Sequence, residues 1–398
     1  MTATTTITTS NQKIFVTGTS GFIGGRLVEV LYLSQAAAVR ASVRSWSSAA
    51  RIARFPVEIV RCDIMDQDQI AEAMAGATAV VHCAYSDTHA AIVQGTQNML
   101  EVAHKLGVER FVYLSTAEVY GNQVRGPIDE TAPYQSTGSE YADSKIEAEQ
   151  LCLAYSAKGL PVTILRPSIV YGPFGESWTV NVAKRLQSGN WGTFEAYGEG
   201  KCNLVYVDDL VAAILLAIRQ PDAVGEVFNI NGPDILTWNQ YFQRFNDALG
   251  LPSLPKIASG QSTVKSVVRD RINNFTGFFL DRYKEPLMDI YLRGGVISKL
   301  MKGVKNSLHS TPSVNELQNL YSRDAYYVAT KAQERLGYKP KFSLETGLRL
   351  SILWLDHFGF LPQTSTRPVD ATNNNQKIYE SKPGQDFSQS VPTRSAQV

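Results

Sequence analysis

Thr17-Gly18-Thr19-Ser20-Gly21-Phe22-Ile23-Gly24 is the stretch on which the fold turns. It closes a short β-branched and apolar run that begins at Lys13, and it opens a helical pattern that continues through Leu33. Glycines at that junction permit a tight turn and let backbone amides approach a pyrophosphate. The helix N-terminus then adds unpaired N–H groups and a positive dipole end. The spacing is Gly-x-x-Gly-x-x-Gly, one residue longer than the commoner dinucleotide fingerprint. Gly18, Ser20, Gly21, Phe22, Ile23 and Gly24 are therefore candidate dinucleotide contacts.

Working outward, further apolar runs at 39–43, 58–62, 79–84, 111–115 and 162–166 alternate with helix-period segments such as 70–75 and 96–106. Strands without polar alternation, each followed by a helix, indicate a parallel sheet covered on both faces. Right-handed crossovers then build a doubly wound sheet. The expected fold is α/β, a Rossmann-type doubly wound parallel sheet with a smaller C-terminal α/β substrate lobe. The boundaries read as a polar tail over 1–12, a dinucleotide-binding core over 13–173 and a substrate lobe over 174–361. A strand and a helix return to the core near 205–231, and a tail poor in apolar residues occupies 362–398. The stretch 263–310 holds nine basic and four acidic residues interleaved with aromatic ones. It reads as an amphipathic cover over a substrate cleft, or as a contact with an anionic membrane surface.

Composition excludes several classes. The 398 residues carry 38 Lys and Arg against 37 Asp and Glu, so no basic field points to nucleic acid. Hydrophobic residues make up 44% of the chain, enough for a sizeable core. Cys62, Cys83, Cys152 and Cys202 lack CxxC spacing and read as reduced, buried residues rather than a disulfide frame or a metal site. No apolar stretch reaches the roughly 18 residues of a membrane span, and the Thr-rich start lacks a basic, long-apolar leader. A cytoplasmic protein without a metal is expected.

Arg44 stands at the end of the second strand, where an acidic residue would take the ribose hydroxyls of NAD and an arginine suits the 2′-phosphate of NADP. The reading favours NADP, with a solvated strand-end charge as the plain alternative. Asp63, closing the third strand, is placed to accept from an adenine amino group or to cap the next helix. Tyr141 and Lys145 lie four apart in Tyr-Ala-Asp-Ser-Lys, on one face of a helix. A free phenol titrates near pH 10 and is a poor base at neutrality; a nearby ammonium favours the phenolate. Thr116, in Leu114-Ser115-Thr116-Ala117-Glu118-Val119-Tyr120-Gly121, sits at a strand end where open α/β sheets bind ligands. Its hydroxyl is a candidate partner for the same substrate oxygen.

In this order, Thr17 to Gly24, Ser115 to Gly121, Tyr141 with Lys145, Arg166-Pro167-Ser168-Ile169-Val170-Tyr171-Gly172-Pro173 and Val205-Tyr206-Val207-Asp208-Asp209-Leu210 resemble the extended short-chain dehydrogenases/reductases. Within them the chain is similar to the NAD-dependent epimerase/dehydratase branch, well over 13–250 and again over 322–354. The resemblance implies Tyr141 as acid/base, Lys145 on the nicotinamide ribose and Thr116 as hydroxyl partner. It also implies dinucleotide contacts at Ile64, Ala84, Ser115, Pro167 and Ile169, and a homodimer through the helix bearing Tyr141. Nucleotide-sugar dehydratases of the branch resemble Thr-Asp-Glu where this chain has Thr116-Ala117-Glu118, which disfavours simple water elimination. Glu118 resembles the lone acid of sugar-acid decarboxylases, with an ion-paired strand-end carboxylate as its plain reading.

Hydride transfer at a secondary alcohol or ketone is the shared step. The leading expectation is an epimerase acting on a nucleotide-linked sugar, supported by Ser115 to Gly121 and by Asp129-Glu130-Thr131-Ala132-Pro133. The second is a one-way NADP-dependent reductase of a hydroxysteroid-like or other apolar alcohol, favoured by Arg44 and the aromatic insertion. The third is a non-catalytic sensor of dinucleotide redox state.

Overall fold

The computed structural model describes residues 12–257 and 314–361, apart from residues 87 and 123. Residues 1–11 and 362–398 of the expected tails, and the basic stretch 263–310, lie outside the described residues.

Seven apolar runs become strands: β1 (Lys13–Thr17), β2 (Ala38–Val43), β3 (Glu58–Arg61), β4 (Ala79–His82), β5 (Arg110–Leu114), β6 (Val162–Pro167) and β7 (Val227–Ile230). They form one sheet in the order β7-β6-β5-β4-β1-β2-β3. Every pairing is parallel. The order reverses between β1 and β4, which opens a crevice at the carboxyl ends of those strands. The helices that matter to this crevice are α1 (Phe22–Ser34), α2 (Gln67–Met74), α3 (His89–Leu106), α4 (Glu140–Ala157), α5 (Val207–Arg219), α6 (Trp238–Ala248) and α7 (Leu344–His357).

Side chains alternate across a strand, so each strand feeds two layers. On one face Val16, Val81, Val112 and Leu114 pack with Leu27 and Leu31 of α1 and Leu210 and Ile214 of α5. On the other, Phe15, Val80, Phe111 and Tyr113 pack with Ile70 of α2, Met99 and Leu100 of α3, and Ala148 and Cys152 of α4. Burial of this kind contributes about 25 cal/mol per Å² of apolar surface. It explains why runs without polar alternation became central strands.

Two details differ from the expectation. Helix α2 is capped by Asp66, whose carboxylate accepts from the Asp68 and Gln69 amides, so Asp63 is not its cap. Helix α3 starts at His89, well before the periodic segment read from the sequence, because the stretch after β4 is short.

After β6 the chain leaves the sheet. Ile169–Tyr171 pairs in parallel with Leu204–Tyr206, and Gly126–Ile128 with Ala325–Tyr327. Asn203 ties these pieces together, donating to the Ala325 carbonyl at 2.8 Å while accepting from the Tyr327 amide at 3.1 Å. Buried Asp209, at the start of α5, accepts from the amides of Lys341 and Phe342. The four cysteines are unpaired; Cys62, Cys152 and Cys202 are buried, and Cys83 is only partly buried, where full burial was expected. Among the described residues no helix is long and apolar enough to cross a membrane.

Candidate active site

The glycine turn is a cradle that side chains would fill. Gly18 has φ of +71°, and a Cβ there would overlap the Cys83 carbonyl. A Cβ at Gly24 would overlap the Gly18 carbonyl in turn. Gly21 sits at the N-cap of α1, which has no side-chain cap and no acidic residue in its first turn. The first amides of α1 are thus left for an anionic ligand. Beside them lies a cavity of about 310 Å³ whose walls include Gly18, Ser20, Arg44, Asp63, Ile64 and Ala84. Arg44 is exposed on its rim. The Asp63 carboxylate accepts from the Met65 amide at 3.0 Å, a local turn that holds it at the strand end. Ile23 faces a second cavity, whereas Phe22 turns toward Gly175. A pyrophosphate and an adenosine suit this cradle.

The second cavity, of about 320 Å³, brings Thr116, Glu118, Tyr141 and Lys145 together with Ala84, Ser115, Pro167 and Ile169. Two elements build its reactive end. Strand β5 stops at Leu114, and Thr116 caps the following 3₁₀ turn, its hydroxyl accepting from the Glu118 amide at 3.2 Å. Helix α4 carries Tyr141, Lys145 and Glu149 on one stripe, because residues four apart share a face. Lys145 and Glu149 are both buried. The Lys145 ammonium donates to the Leu114 carbonyl at 2.9 Å and to the Tyr113 hydroxyl at 3.2 Å. It lies 6.0 Å from the centre of the Tyr141 ring.

Burial dominates the electrostatics of this end of the cavity. Burial first, then the Glu118 carboxylate and Tyr85, hold the Tyr141 phenol above its ordinary value, against a hydrogen bond with Thr116. Burial also pushes Lys145 down to about 8, with Cys152, Cys83 and Glu149 pulling it back up. The ammonium is spent on Leu114 and Tyr113, so desolvation of the phenol wins in the chain by itself. The Tyr141 phenol is therefore held in its neutral form.

Ser115, read as a dinucleotide contact, gives its hydroxyl to Glu149. The Arg166 guanidinium donates to both Glu149 oxygens at 2.6 to 3.0 Å. Tyr134 adds a bond to Glu149 at 2.8 Å, and Arg166 reaches the Tyr120 hydroxyl at 2.8 Å. This charged cluster props up the end of β5 from behind. Neither Glu149 nor its pairing with Arg166 stood out in the sequence, although the Tyr-x-x-x-Lys-x-x-x-Glu spacing could have flagged the glutamate.

The opposite wall contains residues that sequence reading missed. A π-helical turn, Glu176–Val180, turns Trp178 into the cavity, beside Lys201, Asn203, Leu320, Arg323 and Tyr327. The Lys201 amide donates to the Arg323 carbonyl at 2.7 Å, which holds the two cationic residues side by side. The Arg323 guanidinium bonds Asn122 and, at 3.0 Å, the Tyr327 hydroxyl, while its buried Nε finds no partner in the structure. Tyr85, exposed at 68%, lines both cavities and packs its ring 5.5 Å from that of Tyr141.

A parallel sheet in this order, with a glycine cradle at its reversal point and a Tyr-Lys helix beside it, defines a dinucleotide-binding α/β enzyme. Residues 14–231 match the NAD dependent epimerase/dehydratase family, and the chain belongs to that family. It is similar to a Mycobacterium tuberculosis 3 beta-hydroxysteroid dehydrogenase/Delta 5-->4-isomerase, 26% identical over 86% of this chain and 90% of that protein. It is also similar to a Streptomyces niveus dTDP-glucose 4,6-dehydratase, 33% identical over 57% of this chain and 74% of that protein. In fold it resembles the UDP-glucose 4-epimerase of Thermotoga maritima, with a TM-score of 0.65 and 24% identity over 87% of this chain and 99% of the other.

Proposed function

We propose that the chain transfers a hydride between a nicotinamide dinucleotide and a secondary alcohol or ketone of a nucleotide-linked sugar, as an epimerase that keeps its dinucleotide through the cycle. The observation that carries this reading is the placement of polar groups on two walls of the reaction cavity. Proton-handling groups Thr116, Tyr141 and Lys145 stand at the strand end, and Lys201 with Arg323 stands on the wall across from them. Asn122 and Tyr327, the partners of Arg323, are neutral, so its charge is left for an anion. A diphosphate suits that wall.

Gly18, Ser20, Gly21 and Gly24 would hold the pyrophosphate, Asp63 and Ile64 the adenine, and Ala84, Pro167 and Ile169 the nicotinamide end. When bound, the dinucleotide supplies the hydride donor or acceptor. Tyr141 gives its proton to a ketone oxygen, or takes the proton of an alcohol in the reverse direction. Thr116 holds that oxygen, and Lys145 contributes positive charge beneath it. Glu118 is a polar wall against the sugar. Arg44 at the ribose end favours NADP over NAD. A cytoplasmic homodimer through α4, with 13–173 as the dinucleotide core and 174–361 as the substrate lobe, belongs to the same reading.

The test is the nucleotide released when purified protein is denatured, together with turnover on a sugar-nucleotide panel. The expected result is a retained dinucleotide and interconversion of two sugar epimers without net NADPH consumption. An empty protein that consumes NADPH stoichiometrically with a keto substrate overturns the epimerase. A second reading, reduction of an apolar alcohol, draws on Trp178, Leu320, Ile169 and Val170 in the same wall and on similarity along 90% of the mycobacterial relative. Turnover on a sterol and terpenoid panel, with none on sugar nucleotides, would establish it instead.

A further inference from the structure

Three neighbouring strands end in polar side chains at one height. In the sheet register Thr17 of β1 stands beside His82 of β4, and His82 beside Tyr113 of β5. By alternation all three leave the sheet on the side of α3 and α4, directly above the layer of Phe15, Val80 and Phe111. Each of the three is at most 2% exposed. Their polar atoms lie in a row. The Thr17 hydroxyl meets His82 Nδ1 at 2.7 Å, and His82 Nε2 meets the hydroxyl of buried Thr96 of α3 at 3.2 Å. Burial raises the Tyr113 phenol and the neighbouring Thr96 side chain acts against it, while Tyr113 accepts from the Lys145 ammonium at 3.2 Å. The His82 and Tyr113 rings also lie 5.8 Å apart.

A polar row at this height is costly. Burying hydroxyls and an imidazole gains little over apolar groups of the same shape, which would pack the layer equally well. Lys145 donates into Tyr113, each hydroxyl can both donate and accept, and a neutral imidazole accepts on one nitrogen and donates from the other. One end is the ammonium under Tyr141; the other is the residue immediately before Gly18.

From this geometry we infer that His82 is a positioning residue for Lys145, acting through Thr96 and Tyr113 and anchored at the glycine turn by Thr17. The row fixes the height and the proton affinity of the ammonium, and so sets what Lys145 delivers to Tyr141 and to a dinucleotide ribose. The inference rests on the role proposed above for Lys145. The groups that face that ammonium are Tyr141, Glu149 and Cys152 on its own helix, Tyr113 on β5, and His82 and Cys83 at the end of β4.

The experiment uses the full-length chain, with NAD and NADP as probes. It follows the pH dependence of dinucleotide affinity by calorimetry, alongside kcat/KM profiles and thermal melting. Two substitutions separate the ends of the imidazole. In His82→Gln the amide reaches the Nε2 position and keeps the Thr96 contact. In His82→Asn it reaches only the Nδ1 position and loses it. Tyr113→Phe cuts the row next to Lys145 while keeping the ring. Loss of an acceptor destabilises the ammonium, so Tyr113→Phe and His82→Asn should both move the Lys145 midpoint down from about 8. The expected shift is about one pH unit, the worth of one hydrogen bond to a charged group. His82→Gln should restore most of it, and the double variant Tyr113→Phe/His82→Asn should shift no further than Tyr113→Phe alone. Independent, additive shifts, or unchanged midpoints with only a lower melting temperature, overturn the inference. A Lys145→Met control isolates the underlying reading: if the pH dependence survives it, Lys145 lacks the proposed role whatever the row does.

Discussion

The two faces of the central sheet carry different burdens. Toward α1 and α5 the strand ends are Val16, Val81, Val112 and Leu114, a dry layer continuous with Leu27 and Ile214. Toward α3 and α4 the same strands end in Thr17, His82 and Tyr113, with Lys145 and Glu149 lowered onto them from α4. One face holds the sheet together at low dielectric; the other tolerates polar groups because each finds a partner. Above apolar layers on both faces, the strand ends thus present apolar groups to one side and polar groups to the other.

The strongest way to break that contrast is at Tyr141. Tyr141→Phe should lower kcat by about 10²- to 10⁴-fold, the usual worth of a positioned acid, with little change in melting temperature. A loss below tenfold in steady-state assays would remove the phenol from the chemistry. Next comes the charged prop behind β5. Glu149→Gln leaves the Arg166 guanidinium buried and half-compensated, so urea unfolding should show a loss of about 3 to 5 kcal/mol. A loss under about 1 kcal/mol would mean that Tyr120 alone satisfies the arginine.

The polar face should also be sensitive to acid. Burial pushes His82 down to about 3, while in the unfolded chain it titrates near 6.5. Between those values the unfolded state holds one more proton than the folded one, so stability falls as pH falls. Going from pH 6.5 to about 4.5 should cost roughly 2 to 3 kcal/mol, and His82→Gln should flatten that limb in urea titrations at several pH values. The dry face offers the smallest effect. Ile214→Val should cost about 1 kcal/mol, leaving kcat/KM and its pH profile as they were. A change in the profile would mean that the two faces are coupled.

Much of this was legible in the residues. The glycine turn, the first six strands and the helix bearing Tyr141 and Lys145 follow from local pattern, since each signal lies within a few residues. The doubly wound parallel class follows from the alternation of strands and helices, whereas the order of the strands comes from the structure. The row through His82 was not legible. A lone histidine in an otherwise apolar run says nothing about which strand lies beside it, and parallel register is set by residues far apart in the chain. The hint was that 13–17, 79–84 and 111–115 each carry a polar residue at or near the carboxyl end. Lys201, Arg323 and Trp178 were missed for a related reason, because the wall is assembled from short irregular segments without period. Burial holds the Tyr141 phenol up in the chain by itself, a balance that spacing alone cannot weigh.

Strand β7 reaches the sheet only after the chain has left β6, built part of the cavity wall and passed through α5. It covers β6 along the register from Ile164 to Pro167, and its Asn229 accepts from the Tyr120 hydroxyl at 2.7 Å. A chain cut after α5 would bare the β6 edge, Val162–Pro167, with open backbone donors and acceptors, a template for pairing with other molecules. Recombinant fragments that stop short of Ile230 are therefore expected to aggregate, and limited proteolysis between α5 and β7 should precipitate the protein rather than release a stable dinucleotide-binding half.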